Sequence, residues 1–323
     1  MSEFGDQSGV LPTRPAIWAV GGGKGGTGKT FISSQLGTAL AEMGLKTTVI
    51  DCDFGGSNLH NFFGLIKAPM SLQQFFEGHK PLNELQLTTQ NPNLFFIAGD
   101  QFGLSASAIQ HAQKTRFFKQ LRQMDMDIII LDVGAGVNHL TLDVFLNAQL
   151  MITVCIPEIT AVENLFLFVK HLFSRRLQAL FKDTPLRDQA KTLWANRRKL
   201  GLLNLTELIR ALKETAGPHI DVVMDALKPF PISIVLNKVR NNTELREGFT
   251  VKSLCLKYLG VDARFSGFIS YDYQFRKNLQ MTRALAQFNV SPKTHKEFSS
   301  LIDNLLKGTQ VQAEFLKNVQ TGI

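Results

Sequence analysis

Short, unbroken apolar runs recur along this chain at intervals. They lie at residues 16–20 (AIWAV), 46–51 (KTTVID), 93–98 (NLFFIA), 127–133 (DIIILDV), 150–156 (LMITVCI) and 232–238 (ISIVLNK). A strand buried on both faces reads this way, because neither set of alternate residues meets water. Between the runs the apolar period changes to that of a helix. Ile32, Leu36, Ala39, Leu40 and Met43 recur at helical spacing, and Gly44 supplies a stop. Residues 114–124 and 161–181 carry the same period. Buried strands alternating with helices predict an α/β fold: a doubly wound, mostly parallel sheet with helices on both faces.

One stretch does not fit a minimal layout of that kind. Residues 182–230 keep helical periodicity with no strand-like run, and they read as a helical insertion within the domain. Near the end, Phe298, Leu301, Ile302, Leu305 and Leu306 form one apolar stripe, expected to pack on the body as a last core helix. After Gly308, Val311, Phe315, Leu316 and Val319 offer a second, short stripe with only Lys317 basic, whereas a membrane-surface helix wants more cations on its polar face.

Composition narrows the classes only modestly. The 323 residues are 44% hydrophobic and 19% charged, enough to bury a large core. No run of about 18 apolar residues appears, and the polar opening MSEFGDQSGVLPTRP lacks the apolar centre of a secretion signal. Cys52, Cys155 and Cys255 lie far apart in or after apolar segments, as buried thiols of a reducing compartment do. The net charge of +8 permits attraction to nucleic acid or anionic lipid, and equally permits a merely solvated basic surface. Arg175 and Arg176, then Arg197, Arg198 and Lys199, form the one basic grouping near the insertion.

The chemistry concentrates in VGGGKGGTGKT, residues 20–30. Gly23 to Thr30 satisfies G-x-x-x-x-G-K-[ST] between a strand and a helix, the context this phosphate-binding motif requires. Glycines let backbone N–H groups converge on phosphate oxygens, and the helix N-terminus adds partial positive charge. Lys29 would hold the β- and γ-phosphates, and the Thr30 hydroxyl would ligate Mg²⁺. Lys24 is a second lysine that such a loop does not need. DCDFGGSN (51–58) places Asp51 and Asp53 at a strand end, where two acids also serve as a turn and helix cap. IIILDVGAG (128–136) ends an apolar strand in Asp132, followed by Gly134 and Gly136.

KGGTGKT resembles the deviant phosphate-loop motif of the MinD/ParA family of ATPases, and the resemblance extends through most of the chain. It implies a P-loop ATPase domain over residues 16–307, with flexible tails at 1–15 and 308–323. In that family the first lysine, here Lys24, reaches phosphates held by a second subunit, so ATP drives formation of a homodimer. The resemblance implies Lys24, Lys29 and Asp53 as catalytic residues. It implies ATP binding by Gly23, Lys24, Gly25, Gly26, Thr27, Gly28, Lys29, Thr30 and Phe31, with Asn237 of LNKV reading adenine. Thr30, Asp53 and Asp132 would hold Mg²⁺, with Asp51 near its shell and Asp53 orienting the attacking water. His60 stands where the family often has an acid, and reads as a surface or satisfied core histidine. PEITAVENL (157–165) resembles the family's segment opening the next helix, with Thr160 as a helix cap. GFISYDYQFRKNLQ (267–280) resembles the base-side segment, with Ser270 where proline is usual and Asp272 retained.

DVGAG, PEITAVENL and FRKNLQMTRAL have the texture of the MinD-like and flagellar-number branch. That branch implies a slow, partner-stimulated ATPase switch that positions or regulates a cellular machine. The protein would be cytoplasmic, or peripheral at the inner membrane or a pole. A protein activator or cargo is implied, with a membrane or non-specific DNA surface as further partners. The three scattered cysteines argue against an iron–sulfur cluster. Two other readings remain open from sequence: a ParA-like partitioning ATPase on DNA, and a nucleotide-binding scaffold with negligible turnover.

Overall fold

The computed structural model describes residues 15–99, 109–181, 186–196, 199–201, 205–216, 231–273, 275 and 290–307. Its strands are β1 (Ala16–Gly22), β2 (Thr47–Cys52), β3 (Leu87–Thr88), β4 (Leu94–Ile97), β5 (Ile128–Ala135), β6 (Leu150–Cys155), β7 (Ile232–Val239) and β8 (Arg264–Ser270). They form one sheet in the order β3-β4-β2-β5-β1-β6-β7-β8, parallel throughout except for the antiparallel edge pair β3–β4. This is the doubly wound α/β architecture expected of a P-loop NTPase. The six strands read from sequence are all present, each within two residues at either end.

Side-chain alternation along β1 shows why its run is apolar throughout. Trp18 and Val20 enter one core with α1 (Lys29–Glu42), which contributes Ile32, Leu36 and Leu40. The same core takes Phe298, Leu301, Ile302, Leu305 and Leu306 of a C-terminal helix, α10 (Pro292–Leu306), as the stripe predicted. Ile17 and Ala19 point to the opposite face. There they meet α3 (Leu72–Phe76), α4 (His111–Leu121), α5 (His139–Leu146), α6 (Ile159–Phe181) and α9 (Arg246–Leu259). Within residues 182–230 the described helices are α7 (Leu186–Asn196) and α8 (Leu205–Ala216), and Leu212 of α8 is buried in that second core.

Several elements escaped the sequence reading, each for a local reason. α2 (Leu59–Phe62) and α3 are of four and five residues, too short to show a period. β8 is interrupted by Ser266 and Gly267, the latter at φ 152. α9 exposes Phe249 and Leu256, so its apolar residues do not confine themselves to one stripe. α1 ends as expected, with Gly44 at φ 90 just beyond the cap residue Met43.

One carboxylate joins three helices on the second face. Asp143 of α5 accepts from Arg175 Nε at 2.9 Å and Nη2 at 3.2 Å on α6, and from Lys114 Nζ at 3.1 Å on α4. Burial pushes its pKa up, but the bonds from Arg175 and Lys114 outweigh burial and hold it below the ordinary value. Arg175 is therefore engaged within the fold and does not belong to a free basic face. Arg197 and Arg198 lie outside the described residues; Lys199 is exposed.

Two outcomes follow from this packing. Gly37→Ala should destabilise the protein by about 1–3 kcal/mol in urea titration. A methyl there overlaps Val49 Cγ2 of β2 and approaches Leu94 Cδ1 at 3.4 Å, so the usual helix-propensity gain is lost. Asp143→Asn should cost about 1–3 kcal/mol at pH 7. Because the folded pKa is depressed, the wild-type advantage is present above the ordinary carboxylate pKa. It should vanish as pH falls through the folded value.

Candidate nucleotide site

The loop of residues 23–28 leaves the C-terminal end of β1, the strand from which the sheet order runs outward both ways. In open parallel sheets such a crevice is the usual ligand position. Packing explains its glycines. A Cβ on Gly23 would overlap the Asn164 carbonyl of α6, and one on Gly28, at φ 91, would overlap Asn237 Nδ2. Gly25 and Gly26, by contrast, have no described residue within 4 Å of an added Cβ. Among the described residues the loop is thus pinned on one side only.

Lys29 begins α1 with only 8% of its surface exposed, and its Nζ donates to Lys24 O at 3.3 Å. Burial lowers its pKa, while the charges of Asp132 and Asp53 oppose that shift. Asp132, 2% exposed, accepts from Ser33 Oγ at 2.8 Å and is also bonded by the Thr30 hydroxyl. Its pKa is raised by burial first and then by Asp51, its register neighbour across β2 and β5. Asp53 Oδ1 accepts from Gly55 N at 3.2 Å. An added Cβ on Gly134 would lie 2.6 Å from that oxygen, so β5 can lie against the carboxylate only because residue 134 is glycine.

Asp51 lies beside Asp132 in the β2–β5 register. Both of its oxygens are taken by protein donors in the loop and turn that follow, as in the turn-and-cap alternative. His60 is buried, with its pKa lowered by burial and opposed by a backbone bond to Ile66, in keeping with a core histidine.

Lys24 sits on the exposed rim of the loop. Its Nζ donates to Glu158 Oε2 and to Thr160 Oγ1, both at 2.9 Å. Thr160 therefore serves as an acceptor for Lys24, a contact that sequence did not suggest. Asn237 is 3% exposed; its Nδ2 donates to Thr27 O at 2.8 Å and its Oδ1 accepts from Lys238 N at 2.9 Å. Its amide braces the loop from β7. Lys238, at φ 61, donates from Nζ to Gly26 O at 2.7 Å. Ser270, in place of the usual proline, bonds Glu297 through both its N and its Oγ, at 2.8 and 2.6 Å. Asp272 accepts from Phe275 N, Ser291 N and Thr294 Oγ1.

The structure thus gathers Lys24, Lys29, Thr30, Asp53, Asp132 and Asn237 around one loop. Ser33, Glu158, Ser57 and Lys238 join them; the last three stand within quoted motifs, but no role for any of the four could be read there, since hydroxyls and surface charges are common at any exposed position. The donor set fits a nucleotide with Mg²⁺. The Thr30 hydroxyl with Asp53 and Asp132 is a hard oxygen set, suited to that ion. Among the described residues the Thr27 hydroxyl, 1% exposed, has no hydrogen-bond partner, and nothing lies against the Gly25–Gly26 side of the loop.

A glycine loop between strand and helix, a buried lysine and acids on two adjacent strands define a P-loop nucleotide-binding protein. Residues 18–283 match the family model described as CbiA, the CobQ/CobB/MinD/ParA nucleotide binding domain, and the chain belongs to that family. It is similar to the septum site-determining protein MinD of Buchnera aphidicola, 27% identical over 201 residues, 61% of this chain and 74% of that protein. It is similar to the antiactivator FleN of Pseudomonas aeruginosa, 30% identical over 158 residues, 48% of this chain and 56% of that protein. The matched stretch spans about half the length of several such curated relatives. In fold it is similar to MinD of Pyrococcus horikoshii complexed with Mg-ADP, with a TM-score of 0.57 and 18% identity, covering 93% of this chain and 98% of that one.

The packing around the loop makes one residue diagnostic. Gly23→Ala should abolish nucleotide binding in a fluorescent-nucleotide titration while far-UV circular dichroism stays unchanged. The overlap with Asn164 O displaces the loop and leaves the sheet alone.

Proposed function

We propose that the protein is an ATP- and Mg²⁺-dependent dimerising switch, a slow ATPase that positions or regulates a cellular machine through a protein partner. The observation that carries this reading is the division of labour between the two lysines. Lys29 is buried at the start of α1, under the charges of Asp53 and Asp132, where it would serve a nucleotide bound in the same subunit. Lys24 lies on the rim, and Glu158 holds it there through an exposed pair that water screens. Such a pair exchanges readily for phosphate oxygens presented by a second subunit, which would make the dimer conditional on nucleotide.

Within this reading Lys29 and the loop amides bind phosphate, and Thr30, Asp53 and Asp132 hold the cation. When bound, the cation neutralises phosphate charge and polarises the bond to be cleaved. Asp53 orients the attacking water at its carboxylate. Asn237 keeps the loop in place through Thr27 and reads the base from the same strand end. Similarity to MinD and FleN supports a site-determining or regulatory role.

Sedimentation velocity tests the proposal. Asp53→Ala with ATP should sediment as a dimer and with ADP as a monomer, and adding Lys24→Ala should abolish the dimer. Isolated wild-type turnover should stay below roughly 1 s⁻¹, the low end of common enzyme rates. A monomer under every nucleotide condition would overturn the reading.

A further inference from the structure

Asp51 is 1% exposed near the end of β2, and its carboxylate is bonded by four donors from one short stretch. Oδ1 accepts from Asp53 N at 3.0 Å. Oδ2 accepts from Ser57 Oγ at 2.8 Å, Asn58 N at 3.1 Å and Leu59 N at 3.0 Å. Asn58 is the cap residue of α2, yet its own side chain makes no capping bond. Asp51 supplies that acceptor from the neighbouring strand. One carboxylate therefore ties the start of the loop, at Asp53, to its end, at Leu59.

Gly99, just past β4, closes the arrangement from the other side. A Cβ there would lie 2.8 Å from Ser57 Oγ and 2.9 Å from Asp51 O. No side chain fits at that point, so the Ser57 hydroxyl lies against the backbone and bonds inward to Asp51. The carboxylate of Asp53 then stands where the clamped backbone puts it, against Gly134.

We propose that Asp51 is a positioning residue that clamps the loop of residues 53–58 at both ends and so sets the place of Asp53. Three donors bond Oδ2 and one bonds Oδ1, all from residues 53–59, so the carboxylate acts through the loop. Ser57 is its side-chain partner. The clamp is a property of the fold, whereas its consequence for turnover rests on the function proposed above.

The test combines backbone exchange with kinetics in the full chain. Asp51→Asn puts an NH₂ group, a donor, where one carboxylate oxygen accepts, so bonds to the loop are lost. Amide hydrogen exchange at Asn58 and Leu59 should accelerate tenfold or more, roughly the effect of losing a charge-assisted bond. ATP turnover should fall about tenfold, with KM for ATP and the Mg²⁺ concentration for half-activity within about threefold of wild type. Ser57→Ala removes one bond and nothing else. It should shift exchange and turnover in the same direction by about threefold, and it carries the test should Asp51→Asn not fold. Unchanged exchange in the folded variants would overturn the clamp. A rise in Mg²⁺ requirement exceeding the fall in turnover would make Asp51 a metal-shell residue and overturn it likewise. A wild-type protein that neither binds nor hydrolyses ATP would refute the proposed function, leaving exchange alone to decide the clamp.

Discussion

A lysine ammonium taken out of water needs negative partners, and most of the site can be understood from that requirement. Lys29 is buried at the start of α1, where desolvation disfavours its charge. Asp132 and Asp53 counter that cost, but Asp132 is buried too and Asp51 stands beside it in register. Buried acids crowded together raise their own pKa values in turn. Hydroxyls of Thr30 and Ser33 and the amides after Asp51 spread that negative charge over many donors. The cluster is poised to accept both an anion above the lysine and a cation beside the acids.

The sheet order makes this cluster attainable. β2, β5 and β1 are adjacent and parallel, so their C-terminal ends come to one edge. Asp51, Asp132 and the glycine loop are therefore neighbours although the loop and Asp132 are more than a hundred residues apart. The glycines that border them are needed for closeness as much as for turning. Gly23, Gly99 and Gly134 each stand where a methyl group would overlap or crowd a backbone carbonyl or a carboxylate. Parallel strands buried on both faces hold these approaches in place, since protein cores of this kind pack closely.

Charge on the outer surface is used differently. Lys24, Lys238 and Glu158 lie around the rim of the loop, each engaged with a near neighbour. These contacts are exposed and easily exchanged. Arg175, by contrast, is committed to Asp143 in a half-buried junction of three helices, where separation would leave a carboxylate without its partners. Equal formal charges thus have unequal freedom, according to how much water reaches them.

The sequence alone determined the class of fold, because apolar runs buried on both faces have a composition that no exposed strand shares. It also determined the phosphate loop, since G-x-x-x-x-G-K-[ST] is a local geometry written in consecutive residues. Lys24, Lys29, Thr30, Asp53 and Asp132 were legible for the same reason, each lying in a contiguous motif. Tertiary structure alone decided what the motifs touch. That Asn237 braces Thr27 across 210 residues and that Glu158 holds Lys24 depend on contacts between distant strands and helices, whereas the turn of Asp51 to the loop after it is local and was one of the alternatives the sequence left open. Short helices and the interrupted strand β8 were likewise invisible, since one turn is less than a period and Gly267 breaks a run. A pattern records which faces are buried, and only the packed chain brings one buried face against another.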